Sequence, residues 1–83
     1  MNYSNINSPE VKNLVMKIAD VVYPYGWEVD DWESSDSGEG IIINFYGDQI
    51  RESDAGTIEA RIEGIVNDDV YVDPFFASIQ IGY

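Results

Sequence analysis

From Val11 onward the apolar residues return every three or four positions. Val11, Leu14, Val15, Ile18, Val21 and Val22 are interleaved with Lys12, Asn13, Lys17 and Asp20. Residues three and four apart share one side of an α-helix, so the stretch predicts an amphipathic helix with its lysines towards solvent. Ser8-Pro9-Glu10 marks the start. A serine hydroxyl can accept from the free N–H groups of the first turn, proline suits the first helical position, and glutamate meets the positive end of the helix dipole. Pro24 disfavours helical geometry in the residue before it and ends the helix near Val22 or Tyr23.

After Gly26 the period changes to two. Trp27 and Val29 alternate with Glu28 and Asp30, as in a strand with one buried face. Unbroken alternation directs Trp32 outward beside Glu28 and Asp30; returning it to the core needs a bulge or a twist. Ser34 to Gly40 is a turn of serine, glycine and acid, and the one candidate for flexibility. Ile41 to Tyr46 is the strongest strand, closed by Gly47-Asp48 and the polar stretch from Arg51 to Gly56. Thr57 to Val66 fits both periods. Ile58, Ala60, Ile62, Gly64 and Val66 alternate, whereas Ile58, Ile62 and Ile65 fit a helix. Frequent β-branched residues and the helix-weakening Gly64 favour the strand. Asn67-Asp68-Asp69 turns, Val70 to Val72 is a short strand, Asp73-Pro74 breaks it, and Phe75 to Tyr83 is a last strand with Ile79, Ile81 and Tyr83 on one face. The expected architecture is a single α+β domain over residues 1–83. Its only long helix, near 9–23, packs on a four- to five-stranded antiparallel sheet that is mostly a meander.

Charge changes this picture from a generic small domain to an unusual one. The 83 residues hold sixteen acids against four bases, a formal net charge of -12. The bases are Lys12, Lys17, Arg51 and Arg61. None lies between Ile18 and Ile50, and none follows Arg61. Such a field opposes compaction, and it raises association rates with cationic partners in a salt-sensitive way. It argues against direct binding to nucleic acid or anionic lipid, which are polyanions themselves. A hydrophobic content of 45% is too high for a disordered chain. Without cysteine or histidine there is neither a disulfide framework nor a thiolate or imidazole metal site. No apolar run is long enough to span a membrane. The start, Met1 to Ser8, lacks the charged and apolar parts of a secretory signal, so a cytoplasmic location is expected.

The densest acidic stretch is Glu28, Asp30, Asp31, Glu33, Asp36 and Glu39. With Trp32 in its midst it is the first candidate for a partner-binding surface, because exposed tryptophan is enriched at binding hot spots. A second candidate of the same character is Asp68, Asp69 and Asp73 around Tyr71. A solvated surface that only confers solubility is the alternative for both. Asp31 to Gly38 superficially resembles a calcium loop, but position six is Asp36 and position twelve is Ile42, where glycine and glutamate are required. No cofactor is implied. The serines have no histidine partner, and phosphate-loop and dinucleotide motifs are absent, so an enzyme is not expected. Exposed aromatics among acids suit an arginine-rich protein surface through cation–π and bidentate contacts.

In size and charge the chain resembles the small phage-encoded inhibitors that imitate DNA, such as inhibitors of uracil-DNA glycosylase, anti-restriction proteins and anti-CRISPR proteins. The resemblance lies in composition and transfers no residue positions. It implies an acidic, non-catalytic inhibitor that covers the nucleic-acid-binding surface of a basic enzyme or defence complex. Immunity proteins against nuclease toxins belong to the same physical class. The alternative is a structural or adaptor module, self-associating through an exposed edge strand such as Phe75 to Tyr83.

Overall fold

The computed structural model describes residues 3–83; the first two residues of the polar start lie outside the described residues. Helix α1, Pro9–Val22, begins where the sequence places it, with the Ser8 Oγ accepting the N–H of Val11 at 3.2 Å. All six residues of its apolar stripe are buried, and Lys12 and Lys17 are exposed. A 3-10 turn, Tyr23–Tyr25, follows Val22 and closes on Gly26, whose φ of 85° suits glycine.

Strands β1, Glu28–Ser34, and β2, Ile41–Tyr46, form an antiparallel hairpin. The turn between them is fastened. The buried Ser35 donates its N–H to the Gly40 carbonyl at 2.9 Å, and its Oγ accepts the N–H of Gly40 at 3.0 Å. Gly40 runs so close to Ile81 and Gly82 that an added Cβ would overlap their backbone.

Thr57 to Val66 is not a strand. It belongs to helix α2, Glu52–Val66, so the domain has a second long helix. Ala55, Ile58 and Ile62 are spaced for a helical stripe and are buried, while Ala60 and Gly64, which completed the alternating pattern, are exposed. Burial of that stripe outweighs the roughly 1 kcal/mol that a glycine costs a helix. Glu52 and Asp54 occupy the first turn, and Asn67 ends the helix in the left-handed region with φ 54°.

After α2 come β3, Val70–Asp73, and β4, Ser78–Ile81. The sheet order is β1-β2-β4-β3, with every neighbouring pair antiparallel. Two hairpins give the mostly meander-like order; α2 carries the chain past the position of β4, which returns between β2 and β3. The expected last strand is therefore corrected twice. Phe75 to Ala77 form a turn and Tyr83 lies beyond the strand. Moreover β4 is interior, so it offers no edge for self-association, and the edges are β1 and β3.

Both helices pack on one side of the sheet, α1 towards β1 and α2 against β3 and α1. The core holds Ile18, Ile41, Ile43, Ile58, Ile62, Ile79 and Ile81, all fully enclosed. Trp27 stacks on Phe45 at 5.5 Å and donates its ring N–H to the Asp48 carbonyl at 2.8 Å. A strap of residues 3–6 closes one end of the sheet. The buried Tyr3 lies against Gly82 and donates its hydroxyl to Asp68 at 3.3 Å, while the Ile6 carbonyl accepts the Trp32 ring N–H at 2.8 Å. Among the described residues no helix is long and apolar enough to cross a membrane.

Candidate functional site

The opposite side of the sheet is open. Pairing aligns its outward residues into rows. Asp31, Asn44, Ser78 and Asp73 form one row, and Glu33, Ile42, Gln80 and Tyr71 the next. Glu28 faces Tyr46 at the end of the β1–β2 pair. The strand residues of the two acidic candidates are thus parts of one surface, held on its two edge strands. Neighbouring strands lie about 4.8 Å apart, so three spacings separate the acidic edges by roughly 14 Å.

Trp32 is not the exposed anchor that alternation predicts. The β1–β2 register shifts between Val29 and Asp31, leaving Asp30 as an extra residue in a β-bulge. One extra residue reverses the facing of everything after it. Trp32 therefore pairs with Ile43 on the core side, is half-buried and packs against the core. Its ring N–H is spent on the Ile6 carbonyl rather than on a partner.

The same bulge concentrates the acids. Asp31 accepts a hydrogen bond from the Asn44 amide at 2.7 Å. Asp30, as a hydrogen-bond acceptor and a charge beside the Tyr46 phenol, pushes it above its ordinary pKa; Asp31 adds to the effect. Glu28, Asp30, Asp31 and Glu33 all reach the open side and are exposed, four carboxylates from six consecutive residues. An unbulged strand would present only every second residue, about 6.8 Å apart.

The remaining candidates lie at the sheet end closed by the strap. Asp36 is exposed in the β1–β2 turn, and Asp68 and Asp69 are exposed in the loop before β3. There the Asp69 carbonyl accepts the N–H of Gly82 at 2.9 Å. Burial, with the Asp68 charge and hydrogen bond, raises Tyr3 to a pKa of about 12. Tyr71 is exposed on the open side, and Asp73 is half-buried, its Oδ1 accepting the N–H groups of Phe75 at 3.0 Å and Phe76 at 3.1 Å.

Three further features bear on the site. Tyr46, 64% exposed, is an open-side aromatic at the end of β2, opposite Glu28. Phe75 and Phe76, 61% and 82% exposed, sit on the β3–β4 turn. Two adjacent phenylalanines cannot both face the core from a strand, and Asp73-Pro74 before them is a turn signal; together these point to a turn. Glu59 lies on α2 with its Oε1 accepting the N–H of Val72 at 3.0 Å, so it closes the edge of β3 instead of joining the acidic surface.

All four basic residues belong to the helical layer. Lys12 and Lys17 lie on α1, Arg61 on α2, and Arg51 immediately precedes α2, 3.5 Å from Asp54. The strands carry Glu28, Asp30, Asp31, Glu33 and Asp73 and no base. Among the described residues no group of three acidic side chains converges to hold a metal ion. The chain matches no family model, no curated protein and no solved structure.

Proposed function

We propose that the open side of the sheet is the docking surface for a basic protein, and that the chain is a non-catalytic inhibitor of the DNA-mimicking kind. It acts in the cytoplasm by covering the nucleic-acid-binding surface of an enzyme or defence complex. One observation carries the reading: every cation lies on the helical side, where acids accompany it, whereas the strands carry five acids and no base. A coat that served only solubility has no need of such sorting. The bulge at Asp30 supports the reading further, since it raises the carboxylate density towards the closer charge spacing of a nucleic-acid strand, about 3.4 Å along the axis. Tyr46, beside the acids of β1, replaces Trp32 as the aromatic of the contact.

The test uses the immobilised chain as bait at low and moderate salt, followed by elution with duplex DNA. A captured basic protein that duplex DNA displaces is the expected result. The joint changes Asp31→Asn, Glu33→Gln and Asp73→Asn should abolish capture, and Asp20→Asn with Glu63→Gln on the helices should not. Loss with the helical pair alone, or direct binding of DNA by the chain, would sink the reading. Capture should weaken by orders of magnitude as salt rises, because exposed charges are screened beyond about 8 Å at physiological ionic strength. The exposed Phe75 and Phe76 favour one second reading, an adaptor that meets its partner through this apolar turn; capture lost with Phe76→Ser and insensitive to DNA would select it.

A further inference from the structure

We propose that the groove between α2 and β3 is a slot for an arginine side chain of a partner protein. The proposal rests on the reading of the chain as a binder of basic proteins, and it names one contact within that complex.

The groove has a volume of about 280 Å³. Its lining joins two carboxylates, Glu52 and Glu59, with two aromatic rings, Tyr71 and Phe75, beside Gly56 and Val72. Glu52, Gly56 and Glu59 stand at i, i+4 and i+7 of α2 and so share one face of the helix.

Gly56 lines the slot. It lies inside a helix, where alanine is intrinsically favoured, yet no packing demands a glycine: a Cβ placed there meets nothing within 4 Å. Because Gly56 lines the groove, a bulky side chain placed there would encroach on it.

Glu59 is ready for a donor before one arrives. The backbone of β3 holds its Oε1 through the N–H of Val72 at 3.0 Å. Among the described residues no hydrogen bond engages its other oxygen. A carboxylate fixed in this way loses little side-chain freedom on binding. The chain's own arginines do not line the groove, and Arg51 is directed to Asp54.

This chemistry selects the occupant. A guanidinium is planar and weakly hydrated, stacks on aromatic faces and offers a fork of donors to two carboxylates. An ammonium is a compact, strongly hydrated charge that does not stack in this way. An apolar side chain would leave the carboxylates of the groove desolvated without a partner.

Titration of the isotopically labelled chain with the capped tripeptide Gly-Arg-Gly, followed by backbone amide resonances, tests the proposal. Saturating shifts are expected at Gly56, Val72 and Tyr71. The citrulline peptide, a neutral isostere, should bind at least about tenfold more weakly, and so should the lysine peptide. Gly56→Leu leaves the net charge unchanged and should abolish saturation while its circular dichroism stays native. Shifts confined to Asp31 and Glu33, equal affinity for lysine, saturation that survives Gly56→Leu, or no saturation at all would each overturn the slot. None of these outcomes touches the reading of the open side. That reading stands or falls on DNA-displaceable capture and on Asp31, Glu33 and Asp73, which do not line the groove.

Discussion

β1 and β3 are the two edges of one sheet, both acidic, and they are closed to neighbouring strands by different means. β3 is four residues long, and α2 lies against it. The outward N–H of Val72, which an incoming strand would need, is already taken by Glu59. β1 is seven residues long and bulged, with Glu28, Asp30, Asp31 and Glu33 exposed along it. Both devices are known ways to blunt a sheet edge, yet they discriminate differently. A hydrogen bond already made refuses any newcomer. A row of carboxylates refuses a second copy of this chain, because like charges would stand opposite one another, but it does not refuse a basic segment. The β3 edge is simply shut, whereas the β1 edge is selective.

The largest expected effect attacks the anchorage of β1. Trp27 leads into that strand, fully buried, stacked on Phe45 and bonded to the Asp48 carbonyl. Trp27→Ala should cost about 3–5 kcal/mol in urea unfolding. Against the roughly 5–15 kcal/mol of a typical domain, this leaves little fold. A loss under about 1 kcal/mol would show that β1 is held elsewhere.

Glu59→Ala should reopen β3. The unpaired N–H of Val72 is worth about 1–3 kcal/mol, and the freed edge should self-associate with rising concentration in sedimentation. Glu59→Gln keeps an acceptor oxygen and should remain monomeric. If Glu59→Ala stays monomeric and fully stable, the edge is closed by bulk alone.

Alkali should loosen the strap from the β3 side first. Tyr3 titrates near pH 12 in the fold against about 10 in the unfolded chain. Between those values the unfolded state has already lost a proton that the folded state retains. Stability is therefore complete below pH 10 and falls as pH rises through 12. Tyr3→Phe should flatten that decline in pH-dependent unfolding curves; an unchanged slope would assign the decline to other groups. The attachment of Ile6 to Trp32 involves no titrating group and should persist through the same range.

The smallest effect is purely local. Asp30→Asn should bring the Tyr46 phenol back towards its ordinary pKa in ultraviolet titration, since the Asp30 hydrogen bond and charge are the leading causes of its rise. Asp73→Asn, on the other edge, should leave it unmoved. Equal responses would mean that the field over the open side is diffuse rather than set by the bulge.

Which parts of this were legible follows from the range of the interactions involved. The cap at Ser8, the stripe of α1 and the alternation of Ile41, Ile43 and Phe45 are local, so the pattern of residues shows them directly. Thr57 to Val66 was misread because Ile58 and Ile62 serve both periods, and only their burial beneath the sheet, a tertiary fact, selects the helix. The orientation of Trp32 depended on a single unpaired residue, Asp30, whose position is set by the register with β2. That Asp31 and Asp73 share a row follows from the insertion of β4 between β2 and β3, which no local pattern encodes. The acidic residues themselves were legible; their assembly into one surface was not.

The interior position of β4 also bears on how the chain reaches this state. Each hairpin closes a short loop and can form early. The β2–β4 ladder instead joins Ile41 to Ile81 and Asn44 to Ser78, enclosing α2 and all of β3. Pairing at such sequence separation carries the entropy of closing a long loop before its contacts give anything back, and it slows folding. Closing this central seam is then the pairing that costs the chain most entropy. A chain emerging from the ribosome must hold Ile41 and Ile43 uncovered along one side until residues 78–81 have been made.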